Sequence, residues 1–479
     1  MEPLLNPALN FFPEQVKTVH VMGICGTGVG ALAGMLKERG FLVTGSDQQV
    51  YPPMSDFLAS SGISVAEGYA AENLSYQPDL VIVGNVITRK NPEAIALAEL
   101  QLPYVSMPQA VSHYCIQDSR SLVVTGTHGK TTTSSLLATA LADAGLAPGF
   151  MIGGLVKAFG RNFNIGDGRY FVCEGDEYDT AFFDKGPKFL HYRPETAVIT
   201  SIEFDHADIY ADLEAIKESF RKLVAIMPEN GCLVAHLDDP IVAEVVRNAG
   251  CEVAGYGKRQ GVEWRLGEVD VGSECTRFSV YRREQFVGEF TSILPGVHNA
   301  LNSLAVIAVL SRLGLNYEQI GKGLRSFRGV NRRQEVRGMA RGVTVIDDFA
   351  HHPTAVRETL AALKEAYRGK RLIAVFEPRT NSSRRRVFQD VYPHCFAAAD
   401  LVLIRDPEPL KTLGVDERFS AEKLVEDLKV NNVEAYFFKS TDTVLDYLGD
   451  NCIPGDVVAV LSNGGFDNIH TRLLDLLGN

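Results

Sequence analysis

Short apolar runs recur along the chain, and stretches with the spacing of amphipathic helices separate them. A short continuous apolar run predicts a buried strand, and strands that alternate with helices predict parallel sheets. The predicted strands span residues 19–22, 41–44, 80–83, 122–124, 170–173, 196–202, 343–346, 371–376, 401–404 and 457–461. Helices are predicted over 31–39, 134–144 and 298–313. The fold class is therefore α/β.

The length of 479 residues suggests three domains at roughly 150 residues each. The motifs divide the chain into predicted domains at 1–118, 119–325 and 326–479. Within the second domain, residues 277–281 and 285–290 alternate between apolar and polar positions, which predicts an antiparallel addition to the sheet. The third domain repeats the pattern of an open α/β sheet.

Composition excludes several classes of protein. A net charge of −12 argues against nucleic acid as a partner. No apolar run approaches the roughly 18 residues of a membrane span, and the first residues lack a signal-peptide pattern, so we expect a cytoplasmic protein. The eight cysteines form no C-x-x-C pair, which predicts reduced thiols in place of disulfides or structural zinc.

The most informative motif runs from Gly126 to Thr133 and reads Gly-Thr-His-Gly-Lys-Thr-Thr-Thr. It lies between a predicted strand and a predicted helix, where backbone N–H groups form an anion cradle. Lys130 offers a positive charge to phosphates, and the Thr131 hydroxyl can bind Mg²⁺. We therefore predict a nucleoside triphosphate site. Its residues are Gly126, Thr127, His128, Gly129, Lys130, Thr131 and Thr132.

A second glycine-rich loop follows the first predicted strand. The glycines at 23, 26 and 28 precede a helix, and an acidic residue follows the next strand. This βαβ pattern lets backbone approach a diphosphate, and Asp47 is then available to a ribose hydroxyl; the alternative is a tight turn alone. The candidate ligand-binding residues are Gly23, Ile24, Gly26, Thr27, Gly28, Ser46, Asp47 and Asn85.

Glu174 and His206 follow two strands that should flank the strand before the phosphate loop. A carboxylate near a triphosphate suits Mg²⁺, so Glu174 is a candidate ligand beside Thr131. His206 is a less usual Mg²⁺ ligand that also fits a second metal or Mn²⁺. The alternative for His206 is a structural hydrogen bond to Asp205 or Asp208.

Two acids and two histidines follow the first strand of the third domain. Asp347, Asp348, His351 and His352 lack the spacing of a zinc site, and helix capping next to Pro353 and Thr354 is an alternative interpretation. We favour contact with a nucleotide because simple burial of these groups costs stability. Arg332, Arg333 and Arg337 lie at the predicted domain junction, where an arginine can reach a transferring phosphoryl group on closure; the alternative is solvated charge.

Taken together, these motifs resemble those of the Mur ligases, the ATP-dependent amide ligases of peptidoglycan assembly, over roughly residues 18–475. The resemblance covers the loops at 23–28 and 126–133, the acidic motifs at 174–177 and 203–206, His298-Asn299-x-x-Asn302, and Asp348-Phe349-Ala350-His351. It implies a Rossmann-like first domain, a P-loop ATPase-like second domain with the antiparallel addition, and a Rossmann-like third domain.

The resemblance also implies ligands and roles. The first domain would bind UDP-sugar, the second would bind ATP with Mg²⁺, and the third would bind the incoming amine. Asn299, Asn302, Arg332, Asp348 and His351 would join the ATP site. The implied catalytic residues are Lys130, Glu174, His206, Arg333 and Asp348, with Thr131, Glu174 and His206 as metal ligands. The lactyl carboxylate of UDP-N-acetylmuramate would be phosphorylated and then attacked by the amine.

Two members of the family compete as models. One adds L-alanine to UDP-N-acetylmuramate, and the other adds the tripeptide L-alanyl-γ-D-glutamyl-meso-diaminopimelate in peptidoglycan recycling. The segments 178–185, 377–381 and 462–466 resemble the recycling enzyme, with Arg379, Asn381 and Asn463 as implied amine-substrate residues. The basic stretch 382–386 departs from that enzyme and is a candidate site for peptide carboxylates. No carbamylated lysine is assignable in 217–222.

Two functions of other classes remain as alternatives. A nicotinamide-dependent oxidoreductase would use the loop at 23–28 but leaves the loop at 126–133 unexplained. A non-catalytic UDP-sugar sensor would use ATP only to change shape, and the presence of Lys130, Glu174 and His206 argues against it.

Overall fold

The computed structural model describes residues 4–51, 54–207, 209–408 and 414–478. The chain forms two compact units. The first comprises residues up to 202 together with 214–255 and 312–314, and the second comprises 203–213, 256–311 and the residues from 315 onward. No helix within the described ranges is both long and apolar enough to cross a membrane. The three-domain division of the chain stays a prediction.

The first unit opens with a parallel sheet in the order β3-β2-β1-β4-β5. Its strands are β1 (Thr18–Met22), β2 (Leu42–Asp47), β3 (Ser64–Glu67), β4 (Leu80–Val83) and β5 (Tyr104–Ser106). Its helices are α1 (Thr27–Glu38), α2 (Met54–Ser60), α3 (Pro92–Leu100) and α4 (Met107–Ala110). The carboxyl end of β1 leads directly into the loop before α1, where such sheets place ligands.

The same unit contains a second sheet around β6, in the order β14-β13-β12-β6-β9-β7-β8. Its elements are β6 (Arg120–Thr125), α5 (Lys130–Asp143), β7 (Gly149–Val156), β8 (Arg161–Asn164), β9 (Tyr170–Gly175), the hairpin β10 (Asp179–Ala181) and β11 (Asp184–Pro187), β12 (Thr196–Ile199), α6 (Leu213–Ile226), β13 (Cys232–His236), α7 (Pro240–Val245) and β14 (Glu252–Gly257). Parallel β9 and β12 lie on either side of β6, so the predicted flanking strands are confirmed.

In the second unit, the residues that follow β14 form the predicted antiparallel addition. Its strands are β15 (Trp264–Val271), β16 (Thr276–Arg282) and β17 (Gln285–Ser292), and two helices follow, α8 (Val297–Arg312) and α9 (Tyr317–Ser326). β15 pairs antiparallel with β16, and β16 pairs antiparallel with β17.

The last sheet has the order β18-β19-β23-β20-β21-β22. Its elements are β18 (Glu335–Ala340), β19 (Val343–Asp348), α10 (Pro353–Ala366), β20 (Leu372–Phe376), β21 (Leu401–Arg405), α11 (Ala421–Val430), β22 (Ala435–Phe438), α12 (Thr441–Asn451), β23 (Val457–Leu461) and α13 (Ile469–Gly478). Alternate residues of β20 enter separate cores: Phe376 packs with residues of α10 and α11, and Val375 packs with residues of α12 and α13. Burial on both faces explains the continuous apolar runs.

Several predicted boundaries are wrong. Helix α1 begins at Thr27 and not at residue 31, because the glycine-rich segment already adopts helical geometry. Helix α5 begins at Lys130 with Gly129 as its N-cap, so the lysine lies in the first helical turn. Strand β12 ends at Ile199 and not at 202, because the next residues bond to the phosphate loop. Helix α10 begins at Pro353, the first-turn position that proline favours.

The core position of Phe376 generates a stability prediction. Phe376→Ala should lower the free energy of unfolding by about 3–5 kcal/mol, because it leaves a cavity in a fully buried cluster. Phe286, which is 60% exposed, provides the control, and Phe286→Ala should cost about 1 kcal/mol or less. Urea denaturation measures both, and equal losses would contradict this assignment of the core.

Candidate functional site

The phosphate loop is held against the residues that follow β12. Gly126 and Gly129 have φ values of 126° and 79°, which favour glycine. The Thr127 amide donates to the Ser201 carbonyl oxygen at 2.9 Å, and the His128 amide donates to Ser201 Oγ at 3.1 Å. A Cβ atom on Gly126 would collide with the Thr200 hydroxyl oxygen. The loop conformation therefore depends on close backbone contact with its neighbour.

Lys130 is a buried cation at the start of α5. Its Nζ donates to Glu177 Oε2 at 2.9 Å and to the Gly126 carbonyl oxygen at 2.6 Å. Burial opposes the charge, but the carboxylates of Glu177 and Asp176 outweigh it and raise the pKa of Lys130. The ammonium group is therefore charged and lies at the loop, as an anion-binding lysine must.

Thr131 and Glu174 place two oxygen atoms side by side. The Thr131 hydroxyl donates to Glu174 Oε1 at 2.9 Å, and the other carboxylate oxygen accepts from the Gly153 amide at 2.7 Å. Hydroxyl and carboxylate oxygens are the ligands that Mg²⁺ prefers, and Mg²⁺ bound with a triphosphate needs only one or two such groups. The donor set therefore fits Mg²⁺.

The loop after β1 is organised by β2. The Gly23 and Ile24 amides donate to the Ser46 carbonyl oxygen, and the Cys25 amide donates to Asp47 Oδ2 at 2.8 Å. The buried Ser46 hydroxyl donates to Glu93 at 2.6 Å. Burial and the nearby Asp47 raise the pKa of the Cys25 thiol to about 11, so this thiol stays protonated.

The remaining predicted residues of this loop lie around it. Gly26 is the N-cap of α1, and Thr27 and Gly28 form its first turn, so the helix N-terminus faces the loop. Asn85 is exposed just beyond β4. The arrangement is that of an anion site at a helix N-terminus.

In the second unit, the segment that carries His206 is tied to the start of α10. Thr354 Oγ1 donates to Glu203 Oε2 at 2.6 Å, and His352 Nε2 donates to the Phe204 carbonyl oxygen at 3.1 Å. His352 Nδ1 accepts from the Thr354 amide, so this side chain caps the helix.

His206 itself has a left-handed backbone, with φ of 55°, and its amide donates to Asp205 Oδ1 at 2.7 Å. Burial disfavours the ionised form of Asp205, but His206, His351 and His352 lower its pKa below the usual value. The alternative partner Asp208 lies outside the described residues. The contact with Asp205 is made by the His206 backbone amide, so the role of the His206 imidazole stays a prediction.

Gln334 links the asparagines of α8 to Asp348. Asn299 Nδ2 donates to Gln334 Oε1 at 3.0 Å, and Asn302 Nδ2 donates to Asn299 Oδ1 at 3.3 Å. The Gln334 backbone N–H donates to Asp348 Oδ2 at 2.7 Å. Burial raises the pKa of Asp348, with Arg333 acting in the opposite direction. The four residues form one buried polar chain.

The two junction arginines differ in their contacts. Arg332 Nη2 donates to the carbonyl oxygens of Ser462 and Gly464, each at 2.6 Å, so it holds the loop around Asn463. The Arg333 guanidinium lies 4.7 Å from the ring centroid of Phe349. His351 Nδ1 hydrogen-bonds to the Phe349 carbonyl oxygen at 3.0 Å. Both arginines therefore lie near the Phe349 ring, and Arg332 in addition holds a loop.

Glu377 is the centre of a basic cluster at the end of β20. This buried carboxylate accepts from Arg405 at 2.9 Å and from the Ser462 hydroxyl at 2.6 Å, and Arg379 Nη1 lies 3.8 Å away. The Arg379 side chain is 52% exposed. The Asn463 Oδ1 atom is buried and has no hydrogen-bond partner within the described ranges. The cluster therefore offers an exposed cation and a buried acceptor.

Arg384 of the neighbouring basic stretch contacts residues on either side of that stretch in sequence. Arg384 donates to the Glu408 carbonyl oxygen at 3.3 Å and to Asn381 Oδ1 at 3.4 Å. Burial and the charge of Arg379 lower the pKa of Arg384.

In the helix considered for carbamylation, Lys217 pairs with Glu244 at 2.7 Å and with Glu214 at 3.0 Å. That lysine is therefore an ordinary ion-pairing cation in this structure.

The structure groups the predicted residues in each unit. Lys130, Thr131 and Glu174 come together in the first unit, and Asn299, Asn302 and Asp348 come together in the second. Sequence reasoning did not assign roles to Glu177, which pairs with Lys130, or to Gln334. The position of Glu177 in the acidic motif was a usable signal for the first, whereas nothing in the sequence singled out Gln334.

Family models match three successive parts of the chain. They are described as "Mur ligase family, catalytic domain" at residues 18–118, "Mur ligase middle domain" at 124–310 and "Mur ligase, glutamate ligase domain" at 332–464. Together they match well over half of the chain.

Individual relatives match along nearly the whole length. The chain is 40% identical over 462 residues to the UDP-N-acetylmuramate–L-alanyl-gamma-D-glutamyl-meso-2,6-diaminoheptandioate ligase of Escherichia coli, with 95% of this chain and 97% of that protein covered. It is 32% identical to the UDP-N-acetylmuramate–L-alanine ligase of Syntrophus aciditrophicus, with 97% and 94% covered. A murein peptide ligase structure from Psychrobacter arcticus is 32% identical, with 97% and 99% covered and a TM-score of 0.72.

The packing of Gly126 generates a prediction about the loop. Gly126→Ala should weaken ATP binding at least about tenfold, because the added Cβ forces the loop away from Thr200 and Ser201 in addition to straining φ. Gly160→Ala is the matched control, since Gly160 also has positive φ but open space where a Cβ atom would lie. Titration with a fluorescent ATP analogue measures both. Equal affinity in the two variants would disprove the packing argument.

Proposed function

This chain belongs to the Mur ligase family, and on that premise we propose that it is an ATP-dependent ligase of peptidoglycan recycling. The reaction joins the tripeptide L-alanyl-γ-D-glutamyl-meso-diaminopimelate to the lactyl carboxylate of UDP-N-acetylmuramate. The observation that carries the choice of substrate is the 40% identity with a ligase of that name along 95% of this chain. The lower identity of 32% with an L-alanine ligase makes L-alanine the second candidate.

The phosphate loop supports activation of a carboxylate by ATP. A carboxylate is a poor electrophile, and phosphorylation converts it into an acyl phosphate that an amine can attack with loss of phosphate. Lys130 provides a charged ammonium group at the loop, where it offsets negative charge on the transferring group. Thr131 and Glu174 would hold Mg²⁺, which supplies charge neutralisation and orientation of the phosphates when it is bound.

Residues of the second unit are suited to the nucleotide and to a further metal. A buried hydrogen-bond network links Asn299, Asn302, Gln334 and Asp348, and its fixed geometry suits selective contact with ATP. Arg333 is the candidate for contact with the phosphoryl group that the family resemblance implies, and Arg332 holds the loop around Asn463. His206 would hold a second metal, for which Mg²⁺ and Mn²⁺ are both candidates.

The UDP-sugar would bind at the loop between β1 and α1. Amides of Gly26, Thr27 and Gly28 at the start of α1 suit the diphosphate, and Asp47 is fixed by the Cys25 amide at the edge of the same loop. This hydrogen bond orients the Asp47 carboxylate. The arrangement supports a contact with a ribose hydroxyl.

The basic cluster around Glu377 supports recognition of the peptide. An exposed Arg379 suits a peptide carboxylate, and the buried Asn463 Oδ1 atom suits an ammonium or amide donor. Asn381 lies between Arg379 and the basic stretch 382–386 in sequence, and it accepts a hydrogen bond from Arg384. The tripeptide carries several carboxylates and L-alanine carries one, so this cluster favours the longer substrate.

The substrate assignment has a direct test. Purified protein with UDP-N-acetylmuramate, ATP and Mg²⁺ should yield the mass of the tripeptide adduct, with one ADP formed per adduct. L-alanine in place of the tripeptide should yield little adduct, and Lys130→Met is the inactive control. An adduct with L-alanine alone would transfer the assignment to the second candidate. ADP release that is independent of any amine would indicate a plain ATPase or a sensor.

Arg379 provides a test of the peptide site. Arg379→Met should raise the KM for the tripeptide about ten- to a hundredfold, since a charge-assisted hydrogen bond is worth roughly 1.5–3 kcal/mol. The KM values for ATP and UDP-N-acetylmuramate should change little. Arg368→Met is the matched control, because Arg368 is exposed and pairs with the neighbouring Glu365 at 2.9 Å. An unchanged tripeptide KM in Arg379→Met would remove Arg379 from the site.

A further inference from the structure

Lys188 is a buried cation close to the phosphate loop, and the proposed mechanism does not use it. It follows β11 and begins a short helix, Lys188–His191, in the first unit. Only 8% of its side chain is exposed. The Nζ atom lies 3.3 Å from Asp176 Oδ2 and 4.1 Å from the ring centroid of Tyr178. A lysine this deeply buried is rare unless a carboxylate compensates its charge.

Asp176 and Glu177 are consecutive, and each pairs with a different lysine. Glu177 pairs with Lys130 at 2.9 Å, and Asp176 pairs with Lys188. Glu174, which lies two residues before Asp176, is occupied by the Thr131 hydroxyl and the Gly153 amide. The motif thus concentrates three carboxylates next to the loop that must receive a polyanion. Each unpaired carboxylate would compete with the triphosphate for Lys130 or repel it.

We propose that Lys188 is a positioning residue of the triphosphate site, and that it acts by pairing with Asp176. The pair compensates the Asp176 charge with Lys188, so the carboxylate that hydrogen-bonds to Lys130 is that of Glu177. Tyr178 supports the pair, because its ring gives the ammonium group a cation–π contact on another side. The inference rests on the proposed function only in requiring that ATP binds at this loop.

Charge compensation makes a prediction that simple packing does not. Loss of the Lys188 charge should weaken nucleotide binding, and simultaneous loss of the Asp176 charge should restore it. A lysine that merely filled space would give additive losses in the double variant. The two explanations therefore differ in the sign of the coupling between positions 176 and 188.

The test measures equilibrium binding of the non-hydrolysable analogue β,γ-imido-ATP with Mg²⁺, in the absence of UDP-sugar and peptide. Lys188→Met should weaken binding at least about tenfold, which corresponds to roughly 1.4 kcal/mol. The double variant Asp176→Asn with Lys188→Met should return to within about threefold of the parent protein, and Lys188→Arg should remain within about threefold.

Lys185→Met is the matched control. Lys185 lies in β11, three residues before Lys188, and pairs with Asp179 at 2.7 Å, but its side chain is 69% exposed, so binding should change less than about twofold. If Lys188→Met does not fold, Asp176→Asn alone decides, because it should leave nucleotide affinity equal or higher. Unchanged binding in Lys188→Met, a double variant that stays weak, or a tenfold loss in Asp176→Asn would each overturn the inference.

This measurement is independent of amide formation. If the variants show the expected binding pattern but the protein yields no tripeptide adduct, the role of Lys188 stands and the proposed substrate is wrong. If the protein yields the adduct but Lys188→Met binds the analogue normally, the proposed function stands and the role of Lys188 is wrong. Failure of the parent protein to bind the analogue would overturn both.

Discussion

The contact between the phosphate loop and the end of β12 is the constraint on which the candidate site depends. The Thr127 and His128 amides donate to Ser201, and Gly126 passes so close to Thr200 that no side chain fits between them. These bonds fix where the loop ends and α5 begins. The direction of Lys130 follows from that start, because a residue in the first helical turn projects back toward the loop.

Charge is the second organising factor around this loop. Three carboxylates gather at the end of β9 and just beyond it. Glu174 accepts from the Thr131 hydroxyl and the Gly153 amide, Asp176 pairs with Lys188, and Glu177 pairs with Lys130. Carboxylates at such density are costly to bury unless each is paired or hydrogen-bonded. The same density would suit a site in which a metal and a triphosphate bring in compensating charges.

Sequence reasoning predicted most of the strands and the order of the motifs, because strands buried on both faces are continuous apolar runs. The family resemblance is confirmed by matches along nearly the whole chain. Element ends were less predictable. The start of α5 at Lys130 and the end of β12 at Ile199 are set by hydrogen bonds between segments that are distant in sequence. The roles assigned to individual site residues stay predictions.

The sequence by itself determined the α/β class, the position of the two glycine-rich loops and the identity of the charged residues, since local spacing and composition encode these properties. Only the tertiary structure decided which charges meet. Nothing in local spacing pairs Lys188 with Asp176, connects Gln334 to both Asn299 and Asp348, or places Arg332 on two carbonyl oxygens. Such partnerships arise because folding brings distant strand ends to one edge of a sheet, where unsatisfied polar groups must find each other.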